Sequence, residues 1–252
     1  MSTYTDEGIV LRRVDYAEAD RILTVLTREH GKVGVIARGV RKAPGRMAPH
    51  TDLFARSSMQ IARGRGELDV LTQAQRVGPV LPSSDARRIA CASLCAELAD
   101  RVLEGNHPLD TGIYELVADA LEACADPSRD PRAAMAWFAR RMVDRLGYAP
   151  ELTQCASCAT PLEERSAVFS TVGGGLLCPR CAPSDPGGVE CSVRVIKVLR
   201  VIAAGDADLY ARLRLDNETL ALLEMVVERE LAQHVDRRLR SLEVLRAVFS
   251  VG

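Results

Sequence analysis

The chain has 252 residues, 47% hydrophobic and 27% charged, which is enough for one large domain or two to three small ones of a globular protein. No apolar run approaches the length of a membrane span, and residues 1–7 (MSTYTDE) do not resemble a signal peptide. A membrane or secreted protein is therefore not expected. In a reducing cytoplasm, the eight cysteines favour metal binding over disulfides.

The charge is unevenly distributed along the chain. The net formal charge is −1. The segment from Arg28 to Arg65, however, contains nine basic residues and only two acidic ones, Glu29 and Asp52. It therefore carries a charge of +7, and the rest of the chain carries −8. This asymmetry indicates a surface for a polyanion on an otherwise acidic protein.

Residues 1–80 show the patterns of short strands separated by turns. The predicted strands are 8–14, 22–27, 33–37, 53–61 and 68–74, several of them with alternating apolar and polar residues. Five short strands within about eighty residues favour a small Greek-key barrel of the OB type. An SH3-like barrel is the nearest alternative from the pattern alone.

Residues 81–252 change to helical spacing. Predicted helices begin after Ser84-Asp85, after Asp130 with Pro131 in the first turn, and at Asp216-Asn217. The sequence thus predicts an α+β multidomain protein, with an N-terminal five-stranded OB-fold β-barrel (1–80) and an α-helical domain (81–252). A four-cysteine zinc hairpin, within a segment spanning 151–185, is inserted in the helical domain.

The cysteine pattern carries the strongest chemical signal. Two Cys-x-x-Cys pairs are separated by nineteen residues, a spacing that fits a four-thiolate zinc site formed by Cys155, Cys158, Cys178 and Cys181. Residues 167–171 and 175–177 flank a Gly-Gly-Gly turn and predict the hairpin between the pairs. Two free dithiols or a pair of disulfides are the alternatives. The neighbours of Cys91, Cys95 and Cys124 favour core positions for these three residues.

No enzymatic motif accompanies the cysteines. None of the four histidines heads a His-x-Glu pattern, and no His-Glu-x-x-His, Gly-x-Ser-x-Gly or phosphate-loop motif occurs. A zinc ion held by four thiolates has no open position for water, so it serves structure rather than catalysis. We therefore expect a protein that is not an enzyme.

A basic loop follows the third predicted strand. It carries Arg38, Arg41, Lys42 and Arg46 among Gly and Pro residues. A solvated loop is the plain alternative, but the +7 segment and the barrel favour nucleic-acid binding. Residues 1–80 contain only three aromatic residues, Tyr4, Tyr16 and Phe54, so we expect contacts from arginine to phosphate without base recognition. A zinc-ribbon adaptor that binds protein only is the competing hypothesis.

Three stretches resemble a known family. Residues 7–32 (EGIVLRRVDYAEADRILTVLTREHGK), 63–69 (RGRGELD) and 138–150 leading into Cys155 are similar to the RecO family of bacterial recombination mediators. The resemblance covers nearly the whole chain. It implies the same three parts, an OB-fold domain, a helical domain and a zinc-binding segment.

The resemblance also implies a function. Members of this family bind single- and double-stranded DNA, anneal complementary strands, and act with RecR to load the RecA recombinase. They do so on DNA coated by single-strand-binding protein, whose acidic C-terminal tail they recognise. By position, Arg38, Arg41, Lys42 and Arg46 match the family's DNA-binding loop. Arg132, Arg140 and Arg141 are candidates for contact with the tail.

Overall fold

The computed structural model describes residues 2–42, 47–103, 111–162, 165–235 and 238–249. The chain forms two compact units, Met1–Met135 with Leu239–Gly252, and Ala136–Arg238. The predicted domain boundary at residue 80 stays a prediction. Among the described helices, none combines the length and the apolar character needed to cross a bilayer.

The first unit contains a closed five-stranded barrel, as the sequence predicted. The strands are β1 (Thr3–Tyr16), β2 (Asp20–Thr27), β3 (Gly31–Ala37), β4 (Arg56–Ala62) and β5 (Asp69–Arg76). They run in the order β1-β2-β3-β5-β4, and β1 closes the barrel against β4. All pairs are antiparallel except β3 with β5. This is the OB-type barrel, not the SH3-like alternative.

The barrel core is narrow and apolar. Val10, Leu23, Val35 and Met59 are fully buried in it. A Cβ on Gly8 would lie 2.6 Å from Val25 Cγ1, so only glycine fits at this position of β1.

Two bulges interrupt the predicted alternation. Leu11 is an extra residue of β1 between Val10 and Arg12, and Thr72 is an extra residue of β5 opposite Gln60 and Ile61. Thr72 is exposed and donates to the Gln60 carbonyl, so the strict alternation expected through residue 72 is wrong. The fourth strand begins at Arg56 rather than residue 53. Phe54 precedes it with a φ of +66°, a turn conformation incompatible with a strand.

Among its described residues, the first unit also has three helices, α1 (Ala86–Val102), α2 (Thr111–Ala125) and α7 (Arg240–Phe249). Asp85 caps α1 as predicted, accepting from the backbone of Arg87 and Arg88. Arg88 donates to carbonyls at the end of α2, including Cys124. Cys91, Cys95 and Cys124 are fully buried, which confirms their core role.

Helix α7 was not predicted. Its first amides are capped by a residue far away in the sequence, since Arg240 N and Ser241 N donate to the Glu97 carboxylate at 3.2 and 2.8 Å. These bonds lower the pKa of Glu97, although burial opposes them most strongly. The predicted helix from Asp216 ends at His234 as α6, before α7 starts.

The second unit combines helices with a small sheet. The predicted hairpin is present as β6 (Ala167–Ser170) and β7 (Gly175–Leu177), and a third strand, β8 (Val189–Cys191), pairs with β6. In the part of this unit that the structure describes, four helices have residues. They are α3 (Pro131–Arg145, whose first residues belong to the other unit), α4 (Val193–Ala204), α5 (Ala207–Arg212) and α6 (Asn217–His234).

A buried ion pair links α3 and α6. Arg140 is 1% exposed and donates to both Glu230 and Asp144. Burial raises the pKa of Glu230 to about 7, outweighing the attraction of Arg140. Arg140 therefore has a structural role. Its buried side chain is not accessible to an acidic peptide such as the tail considered above. Arg141 donates to the carbonyls of Ile202 and Ala203 near the end of α4.

The raised pKa predicts a pH-dependent stability. Because the folded protein keeps a proton on Glu230 that the unfolded chain releases, the free energy of unfolding should fall as pH rises from about 4.5 to about 7. Glu230→Gln should remove this contribution. Urea unfolding at several pH values measures it. Glu190→Gln, an exposed change on β8, should behave as the wild type. A constant difference between wild type and Glu230→Gln across that range would contradict the assignment.

Candidate metal centre and nucleic-acid interface

Two loops bring the four predicted cysteines together. The first turns at Cys155–Ala159, where Ala159 N donates to Cys155 O and Cys155 N donates to Thr160 O. The second turns at Cys178–Ala182, where the amides of Cys181 and Ala182 donate to Cys178 O. Each turn holds its two sulfurs on one side of the loop.

Backbone contacts with the hairpin fix the two loops relative to each other. Ala156 N donates to Leu176 O, and Leu176 N donates to Glu151 O. A Cβ on Gly175 would lie 2.3 Å from Glu151 O, so the glycine-rich turn permits this close approach. The sequence predicted the hairpin but not its backbone pairing with Glu151.

The sulfur geometry fits a tetrahedral thiolate site. The four Sγ atoms lie within 4.8 Å of one another, and Cys158 Sγ is 3.8 Å from Cys178 Sγ. Four sulfurs at about 2.3 Å from one ion would be about 3.8 Å apart. Among the described residues, this is the one group of metal-ligating side chains brought together in this way. The four cysteines therefore could hold a metal ion.

The pKa values of two of the thiols show how strongly the neighbouring groups influence them. Hydrogen bonds from Thr160 and Arg180 lower the pKa of Cys158 to about 5, so its sulfur is a thiolate at neutral pH. At Cys181 a hydrogen bond from Ser157 lowers the pKa, but the neighbouring sulfurs of Cys158 and Cys178 raise it overall to about 11. Several thiolates this close repel one another, and a bound divalent cation removes that repulsion.

The basic loop lies at the rim of the barrel. Arg38, Arg41 and Lys42 are exposed, and Arg46 lies outside the described residues. The loop is attached to the β1–β2 turn, because Arg41 N donates to Ala19 O at 2.9 Å and Gly39 N donates to the Asp20 carboxylate at 2.7 Å. Arg41 also pairs with Asp15 at 3.5 Å, a partly exposed contact of small energy.

Three basic residues of the +7 segment have a different role. Lys32 pairs with Asp100 of α1 at 3.2 Å. Arg28 and Arg56 pair with Glu115 and Glu122 of α2 at 3.0 and 3.5 Å. These pairs join the barrel to its own helices. The positive charge left for an external polyanion is therefore smaller than the sequence count.

Comparisons with known proteins agree with this architecture. The family models for the recombination protein O N terminal and C terminal regions match residues 1–80 and 83–243. The chain is 32% identical to the DNA repair protein RecO of Symbiobacterium thermophilum, over 97% of both chains. It is 35% identical to RecO of a Roseiflexus species, over 96% of this chain and 84% of the relative.

The chain belongs to the RecO family of DNA repair proteins. A third relative, RecO of Exiguobacterium sibiricum, is 33% identical over 98% of this chain. Membership confirms the resemblance seen in the sequence and implies an interaction with DNA. It also agrees with the closed barrel and the four-cysteine cluster seen in the structure.

The sulfur geometry predicts the response of this RecO protein to Co²⁺. Protein refolded with Co²⁺ should bind one ion per chain and show the visible absorption bands of tetrahedral thiolate coordination. Cys178→Ser should lose these bands and unfold at a lower temperature, because one ligand is missing. Cys191→Ser removes a buried cysteine outside the quartet and should keep the bands. Equal spectra for the two variants would contradict the assignment.

Proposed function

We propose that this protein is a DNA-binding recombination mediator. It anneals complementary single strands and helps load the RecA recombinase on DNA coated by single-strand-binding protein. The observation that carries the proposal is the match of both RecO regions along nearly the whole chain. The protein works by binding and positioning, without catalysis.

The proposed DNA contact is the basic loop. Arg38, Arg41, Lys42 and Arg46 neutralise phosphates of either single- or double-stranded DNA. Hydrogen bonds hold the backbone of Gly39 and Arg41 against the β1–β2 turn, so little ordering of these two residues is needed on binding. If each of the four residues neutralises one phosphate, the log-log salt slope for single strands is about −3.

The proposed metal is one structural zinc ion per chain, held by Cys155, Cys158, Cys178 and Cys181. Zinc suits four thiolates in tetrahedral geometry, and it would connect two loops and the small sheet between them. Elemental analysis of freshly purified protein should identify it. A site with four protein ligands has no open position for a substrate, which supports a role in folding.

The proposed partners follow from the same family role. They are RecR and the acidic C-terminal tail of single-strand-binding protein, in a cytoplasmic, nucleoid-associated location. Arg140 is not part of the tail site, because its side chain is buried against Glu230. The competing hypothesis, a zinc-ribbon adaptor without DNA binding, predicts no salt-dependent affinity for labelled single-stranded DNA.

Charge reversal at the loop tests the DNA site. Arg41→Glu with Lys42→Glu should weaken single-strand binding and lower the salt slope by about 1.4, because two phosphate contacts are lost. Fluorescence anisotropy across a salt series measures this effect. Arg212→Glu with Arg214→Glu reverses two exposed charges in the other unit and should leave the slope unchanged. Unchanged affinity in the Arg41 and Lys42 variant would refute the site.

Strand annealing tests the function. The wild type should accelerate annealing of complementary oligonucleotides both when they are bare and when single-strand-binding protein coats them. The Arg41 and Lys42 double variant should lose both activities while its circular dichroism spectrum stays that of the wild type. If the wild type accelerates annealing of bare strands but not of coated strands, the DNA site is supported and the mediator role is refuted. No acceleration by the wild type would refute annealing.

A further inference from the structure

The structure leaves one aromatic ring of the barrel open. Of the three candidates in the sequence, the ring of Tyr4 lies 4.2 Å from that of His30 and 5.2 Å from the Arg63 guanidinium. Phe54 lines a small cavity formed with α2. Tyr16 differs from both. It is 53% exposed, and its side chain has no ring contact or hydrogen bond with the described residues.

Tyr16 stands at the end of an outward-facing apolar row. Val14 lies two residues earlier on the same face of β1 and is 50% exposed. Cross-strand pairs then connect Val14 to Ile22, Ile22 to Ile36, and Ile36 to Val70. We call these four residues the outer row. Ile22, Ile36 and Val70 are only partly buried.

The residues next to the outer row on the same strands point into the barrel. Leu23, Val35 and Leu71 are buried in the barrel core. Because side chains alternate between the two faces of a strand, the outer row faces away from that core. Four aliphatic side chains across four strands make a continuous apolar surface on the outside of the barrel.

The opposite face of the β1–β2 hairpin is ionic and fixes its position. Arg21 pairs with Asp15 at 3.1 Å and with Asp52 at 3.2 Å, and Arg13 also pairs with Asp52. The hairpin is therefore held to the chain preceding β4, with Val14 and Tyr16 on its free face. The basic loop is hydrogen-bonded to the tip of the same hairpin.

We propose that Tyr16 and the outer row bind unpaired bases of single-stranded DNA. The inference rests on the proposed function and extends it from phosphate contacts to base contacts. Arginine and lysine of the basic loop attract the phosphates, the Tyr16 ring stacks on a base, and the outer row covers the apolar faces of its neighbours. Bases in a duplex are already stacked and paired, so this surface distinguishes single strands from duplexes.

The site remains compatible with annealing. One ring stacks on one base, so most bases of a bound strand stay available for pairing. Base contact here is independent of sequence, because every base presents a similar aromatic face.

An abasic oligonucleotide separates base contacts from phosphate contacts. The full-length protein is titrated with labelled oligo(dT), with an abasic oligonucleotide of equal length, and with a duplex. The wild type should bind oligo(dT) at least about fivefold more tightly than the abasic probe. Tyr16→Ala should bring this ratio close to one and weaken duplex binding little. Tyr16→Phe, which retains the ring, should preserve the ratio.

Two controls complete the experiment. Val80→Ser changes a valine that is 68% exposed but lies outside the outer row, and it should leave the ratio unchanged. Arg41→Glu with Lys42→Glu should weaken both single-stranded probes equally and keep their ratio.

The outcomes separate this inference from the proposed function. A wild-type protein that binds both single-stranded probes equally overturns the base-binding site and leaves the phosphate site standing. If Tyr16→Ala keeps the wild-type ratio of affinities for oligo(dT) and the abasic probe, the base-binding site is also refuted. If Tyr16→Ala alters the sedimentation of the protein while the ratio stays the same, the row is a protein interface and the inference is wrong. Failure to bind any probe refutes the proposed DNA binding itself.

Discussion

The contacts of Glu7 divide the basic residues of the barrel into two groups. This β1 carboxylate accepts from the Tyr114 hydroxyl at 2.9 Å and lies 3.8 and 3.5 Å from the guanidinium groups of Arg28 and Arg56. Tyr114 is fully buried, and burial, followed by its bond to Glu7, raises the pKa of the phenol. Arg28 and Arg56 each pair both with Glu7 and with a carboxylate of α2, so both contribute to the barrel–helix contact. Arg38, Arg41 and Lys42 at the rim do not pair with Glu7 or α2 and form the described part of the DNA site proposed above.

The β1–β2 hairpin also has two faces with different contacts. One face carries charged residues that pair with each other and with Asp52, and the other carries Val14, Ile22 and Tyr16. Exposed ion pairs add little stability, but several that share partners restrict orientation. The hairpin can thus expose apolar side chains without folding them into the core. Its rim combines positive charge with an aromatic ring, the two features that single-strand binders use.

The sequence patterns predicted the features that depend on residues close together in the chain. The five strands, the cap at Asp85 and the cysteine pairs follow from residues close in sequence. Long-range contacts were missed. Thr72 is displaced by a bulge that depends on β4, α7 depends on Glu97, and the charge of Arg56 is paired by α2. The residues next to Tyr16 in the sequence do not predict its exposure. The exposure depends on the ion pairs that hold the opposite face of the hairpin against the chain preceding β4.

A metal ion at the four cysteines would stabilise a unit whose sheet is too small to be stable by itself. The strands β6, β7 and β8 have four, three and three residues, and a sheet of this size needs additional constraints. The first cysteine loop bonds to β7 through Ala156 and Leu176, and the second follows β7 directly, so an ion bound there would constrain both loops at once. Because all four ligands are protein thiolates, the ion has no free position for chemistry. A metal ion held there would therefore serve the folding of this unit, whereas the DNA contacts proposed above lie on the barrel.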